Sequence, residues 1–75
     1  MSYEDLIRRA ERLLGKDPEA AAGAYIRAVE ENPNRGEAYY GLGRAYAALG
    51  KVEEARDAFR RAAKLMPHDA TAFHN

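Results

Sequence analysis

The sequence predicts an all-α fold: two antiparallel helix–turn–helix units stacked side by side, followed by the start of a fifth helix. Three observations predict it. Apolar residues recur at three- and four-residue spacing rather than at alternate positions. Sixteen of the 75 residues are alanine, the best helix former, and the β-branched residues are only Ile7, Ile26, Val29, Val52 and Thr71, too few to build strands. The chain also repeats itself. Pro33 and Pro67 stand 34 residues apart, and the same offset links Ala21 to Ala55, Tyr25 to Phe59, Ala28 to Ala62 and Asn32 to Met66. A period of this length reads as a stacked array of helix pairs.

The elements follow in order. Leu6, Ile7, Ala10, Leu13 and Leu14 form the first apolar stripe, on a helix expected over 3–14. Ser2 with Asp5 three residues on resembles a capping box, and Gly15 occupies the place of a left-handed residue after the last turn. Asp17, Pro18 and Glu19 supply an N-cap, a first-turn proline and a favourable carboxylate for a second helix over 18–31, with its stripe at Ala21, Ala24, Tyr25, Ala28 and Val29. Pro33 stops it. Asn34, with Glu37 three residues later, reads as the cap of a third helix over 36–49, whose stripe is Tyr39, Leu42, Gly43, Tyr46 and Leu49. Gly50 makes the next turn. The fourth helix, 52–65, carries Ala55, Ala58, Phe59, Ala62 and Leu65, and Phe59 is expected in the core between the two repeats. Pro67 ends that helix, and Asp69 reads as the cap of a fifth from 70 on.

Composition excludes several function classes. Seventy-five residues hold one domain. There is no cysteine, hence no disulfide framework, thiolate metal site or cysteine nucleophile. Twelve basic residues balance twelve acidic ones, and both halves are near neutral, so the electrostatic footprint of a nucleic-acid binder is missing. The N-terminal stretch "MSYEDLIRRAERLL" has no uninterrupted apolar core, and no apolar run approaches the ~20 residues of a membrane span; a cytoplasmic location without membrane contact is expected. The pair Gly41 and Gly43 is a Gly-x-Gly, but Tyr46 stands where a nucleotide loop needs a third glycine, and a proline turn precedes it where a strand is required. His68 and His74 have no partners at metal spacing. No catalytic constellation is present, and no enzyme activity or cofactor is expected.

The segment "GEAYYGLGRAYAALGKVEEARDAFRRAAKLMPHD", residues 36–69, resembles one complete tetratricopeptide repeat. Tyr39 stands at the opening aromatic, Leu42, Gly43 and Tyr46 at the signature that follows, and Ala55, Phe59, Ala62 and Pro67 at the second-helix positions. Residues 2–35 resemble a looser first repeat. Ala21, Tyr25, Ala28 and Pro33 match directly, whereas Leu6, Ala10 and Leu13 match once one residue is deleted near Gly15. Residues 70–75, "ATAFHN", look like the stub of a third. The resemblance implies a right-handed α-solenoid fragment. It makes Gly43 the small residue at the crossing of paired helices and Gly50 the turn between them. Gly41 has no signature role and is expected on the outward face.

The resemblance further implies that the first helices of successive repeats line a concave groove for a peptide or a partner's helix. Helical geometry places Glu37, Tyr40, Arg44 and Ala47 in one sector, with Tyr40 and Arg44 able to meet at i, i+4. The matching first-repeat positions are Ile7, Arg8, Glu11 and Leu14; His74 and Asn75 would extend the wall. The candidate partner-binding residues are therefore Arg8, Glu11, Glu37, Tyr40, Arg44 and Ala47. A plain solvated surface, with Arg44 paired to Glu37 or Glu11, is the competing reading of the same residues. The carboxylate clamp of some family members is not reproduced, because Gly41 stands where its asparagine would be. Arg56, Arg60, Arg61 and Lys64 form a basic ridge that Asp57 and Glu53 can lace with ion pairs. Two function classes remain: a protein- or peptide-binding adaptor, and a self-associating element that forms a homodimer through its C-terminal edge, Phe73 included.

Overall fold

The computed structural model describes residues 1–66. Four helices follow one another: α1 (Tyr3–Leu14), α2 (Pro18–Glu31), α3 (Gly36–Ala48) and α4 (Val52–Leu65). They match the sequence expectation to within one residue at the end of α3. The fifth helix, its Asp69 cap, Phe73 and the two histidines lie outside the described residues.

Local chemistry explains the starts. The Ser2 hydroxyl accepts the Asp5 amide at 3.2 Å, and the Ser2 hydrogen bond in turn holds the Asp5 carboxyl below its ordinary range, with Arg8 at 3.5 Å adding to the effect. The Asp17 carboxylate accepts the Ala20 amide at 3.2 Å, and Pro18 sits where its missing N–H is not needed. The expected Asn34 cap is not formed. Arg35 occupies the N-cap of α3 and no side chain caps it, because Asn34 falls one residue too early to reach the first-turn amides. Glu37 pairs with Arg35 at 3.7 Å instead.

The two interhelix turns differ, which accounts for the one-residue deletion. After α3, Gly50 takes φ 78°, the Lys51 amide reaches back to the Tyr46 carbonyl and the Gly50 amide to Ala47, a Schellman closure. After α1, Gly15 stays helical at φ −85°, contrary to the left-handed expectation, and the Asp17 amide bonds to the Leu13 carbonyl. One turn closes over five residues and the other over four. The second-helix caps Asp17 and Lys51 therefore correspond at an offset of 34, but Leu13 and Tyr46 at 33.

Packing makes α3 the centre of the molecule. It contacts α1, α2 and α4, whereas α4 contacts α3 alone. Its face toward α4 carries Gly43, where an added Cβ would stand 2.7 Å from the Phe59 ring. Its face toward α2 carries Ala38, Gly41 and Ala45, all buried. A Cβ on Gly41 would overlap the Tyr25 ring. Gly41 is thus a close-approach residue between the hairpins, not the outward-facing glycine the sequence suggested. Tyr25, 2 % exposed, is the largest fully buried side chain and joins a core of Tyr3, Leu6, Ile7, Ala10 and Leu42. Phe59 is only half-buried and stays out of that core, which corrects the expectation for it. Its ring lies between α3 and α4, within its own hairpin, tilted against Tyr40 at 5.6 Å.

Two outcomes follow from this packing. Gly41→Ala should lower stability in urea denaturation although alanine favours helix, since overpacking at ~1–3 kcal/mol outweighs ~1 kcal/mol of propensity. Gly43→Ala should cost less, because the half-exposed Phe59 ring can swing aside. Equal effects at both sites would contradict the difference in confinement. Tyr25→Ala should remove ~3–5 kcal/mol and with it most of the cooperative melt, while Phe59→Ala leaves a measurable transition at lower temperature. A larger loss for Phe59 in circular dichroism would reverse the assignment of the two rings.

Candidate functional site

Because α2 packs on both α1 and α3, and α1 touches α3 directly, α1 and α3 share one face of the molecule. On α3, Glu37, Tyr40, Arg44 and Ala47 are all exposed along that helix, Tyr40 to 50 %. On α1, Arg8 and Glu11 are exposed and Leu14 is half-buried. Ile7, the fourth first-repeat position, is instead a core residue at 5 % exposure, as suits an apolar side chain that can leave water.

The floor of this face comes from α2. The Tyr25 ring lies on Gly41, and burial raises the pKa of its hydroxyl; Glu11 and Glu37 push it further up and Arg44 pulls it down. Charges on both α1 and α3 therefore act on one buried phenol. The Arg44 guanidinium lies 6.0 Å from the Tyr40 ring centroid, a cation–π arrangement that fulfils the i, i+4 expectation. Arg44 forms no ion pair with Glu37 or Glu11 among the described residues; Glu37 is engaged by Arg35 and Arg8 by Asp5. Ala47 stays exposed beside them with no polar role.

Two contributors were not anticipated from the sequence. Tyr3 is buried, and its hydroxyl has no partner in hydrogen-bond geometry although the Ala38 amide and the Glu37 carboxylate are near. Burial first, and Glu37 second, raise its pKa, while the Arg35 guanidinium, 4.8 Å over the ring, opposes them. The signal for this pair was weak: Tyr3 precedes the first apolar stripe, and Arg35 lies in a turn. The arrangement offers a guanidinium for a carboxylate or carbonyl, an aromatic face for an apolar side chain, and carboxylates for a cation or amide.

The α4 ridge is laced as the sequence suggested, in part. Asp57 pairs with Arg60 at 3.9 Å, and the Arg61 guanidinium lies 5.8 Å from the Tyr39 ring. Glu53 and Arg56 do not pair among the described residues. Among those residues no group of three side chains is placed to hold a metal ion, and no helix is long and apolar enough to cross a membrane.

A family model described as tetratricopeptide repeat matches residues 14–70. Comparison with curated proteins and with solved structures returned no match. With two helical hairpins joined through small residues, and a family match over well more than half of its length, the chain belongs to the tetratricopeptide repeat family.

Proposed function

We propose that this chain is a non-enzymatic protein-interaction module that receives a peptide or a partner's helix in a concave groove lined by α1 and α3. Tetratricopeptide repeats generally mediate protein–protein interaction, which supports the class of function. The observation that carries the groove is the exposed row of Glu37, Tyr40 and Arg44 on α3, with the Arg44 guanidinium 6.0 Å from the half-exposed Tyr40 ring, on the face that α3 shares with the exposed Arg8 and Glu11 of α1. Arg44 takes a carboxylate or backbone carbonyl of the partner, Tyr40 an apolar side chain, and Glu11 and Glu37 a basic group or backbone amide. Arg8 and Ala47 form the rim. Exposed Tyr and Arg that are already ordered lose little entropy on binding, which favours them as anchors.

A second reading, self-association through the C-terminal edge, draws on one observation. That edge presents the half-buried Phe59 ring against Tyr40, with Leu65 and Met66 lining an adjacent apolar hollow. Another copy would cover it, with Phe73 contributing.

Partner capture from lysate with the Tyr40→Ala/Arg44→Ala variant should fall at least about ten-fold at unchanged melting temperature, as expected for two central anchors. Undiminished capture would move the site off this face. Light scattering at micromolar concentration should separate the readings. A monodisperse 8.4 kDa species removes the second, and a dimer that Phe73→Ser dissociates upholds it.

A further inference from the structure

The first hairpin also carries a cleft away from the α1–α3 face. A cleft of about 580 Å³ opens between α1 and α2, with Leu6 and Leu13 at its floor and Arg9, Arg12, Lys16 and Arg27 around it. Ala20 and Ala24 complete the α2 wall, and no carboxylate is among the lining side chains. A third of the chain's twelve cations is thus gathered in one concavity of a molecule with no net charge. None of the four forms an ion pair among the described residues, although three other arginines do.

The second hairpin supplies an internal comparison. At the offset of 33 for first helices and 34 for second helices, the equivalent cleft is lined by Tyr39, Leu42, Tyr46, Ala58 and Arg61, and encloses about 190 Å³. The two tyrosines fill it where the first hairpin has Leu6 and Leu13. Glu54 and Asp57 offset its one arginine where the first hairpin has Ala20 and Gly23. Arg61 is occupied over the Tyr39 ring. Arg9 and Arg12 stand where the second hairpin buries Leu42 and Ala45. The first hairpin therefore lacks both the aromatic filling and the counter-charges. Another alanine-faced helix could not cover Arg9 and Arg12 without desolvating both.

We propose that this cleft binds an acidic peptide segment of a protein partner. Its carboxylates meet Arg9, Arg12, Lys16 and Arg27, and an apolar side chain fills the space over Leu6 and Leu13. The site is separate from the α1–α3 groove and does not depend on it. Charge complementarity selects an anion, and the apolar floor selects a peptide over a bare phosphate or a nucleic-acid backbone.

The test uses the full chain and a short fluorescein-labelled peptide in which glutamates alternate with leucines. In amide-resolved NMR titration, shifts should cluster at Leu6, Arg9, Leu13, Lys16, Ala20 and Arg27. In anisotropy, Arg9→Glu/Arg12→Glu should weaken binding about ten-fold or more, and added salt should weaken it steeply. Arg60→Glu/Lys64→Glu, on the α4 ridge, should leave it unchanged. Shifts on the α1–α3 face or α4 instead, or no shifts at millimolar peptide, would overturn the proposal. So would equal affinity for a single-stranded oligonucleotide of the same net charge, which would make the cleft a general polyanion surface.

Discussion

The contact between the Tyr25 ring and the bare backbone of Gly41 is the constraint on which the rest of the molecule depends. Among the described residues α4 touches only α3, and α3 meets the first hairpin chiefly through α2. Where Gly41 lacks a side chain, a large ring can lie flat against the helix, and dispersion contacts replace the water both surfaces would otherwise hold. Ala38 and Ala45, fully buried on either side, extend the same close approach along α3. Setting α2 against α3 also sets α1 beside α3. The shared face of α1 and α3 is a consequence of that one packing choice.

The core is built from closeness rather than bulk. Ten of its fifteen buried apolar residues are alanines, so little apolar area is removed from water per residue, and backbone proximity has to make up the difference. Such an interface tolerates added volume poorly, because neighbouring helices have no side chains to rearrange. It also leaves several of the larger side chains at least partly at the surface. Tyr40, Tyr39, Tyr46 and Phe59 are half-buried or exposed, and three tyrosines carry an arginine over the ring: Tyr3, Tyr39 and Tyr40.

The helices were legible in the sequence because their punctuation is local. Pro18, Asp17, Ser2 and Gly50 act on residues within a few positions, and the apolar spacing gave the stripes. The family resemblance placed Gly43 at the crossing within its hairpin, but did not show that the ring it meets there is Phe59. The joint between hairpins was not legible. Gly41 carries no side chain to mark its role, and Ala38 and Ala45 read as good helix formers before they read as a packing face; only their i, i+3, i+7 spacing hinted at it. Phe59 was misplaced because its periodic twin, Tyr25, is buried by α3, while no described element covers Phe59 in the same way. At the candidate groove, the sector containing Glu37, Tyr40 and Arg44 followed from helix geometry. The contribution of Tyr25 from below did not, because it depends on how two helices cross.

A double-mutant cycle between Tyr25→Leu and Gly41→Ala tests this account most directly. If the ring lies on the bare glycine, the shorter leucine makes room for the new methyl. The stability cost of Gly41→Ala, read by urea denaturation, should then shrink to nothing or become a gain in the Tyr25→Leu background, a coupling of about 1–3 kcal/mol. Strict additivity, with Gly41→Ala costing the same in both backgrounds, would contradict the joint as described.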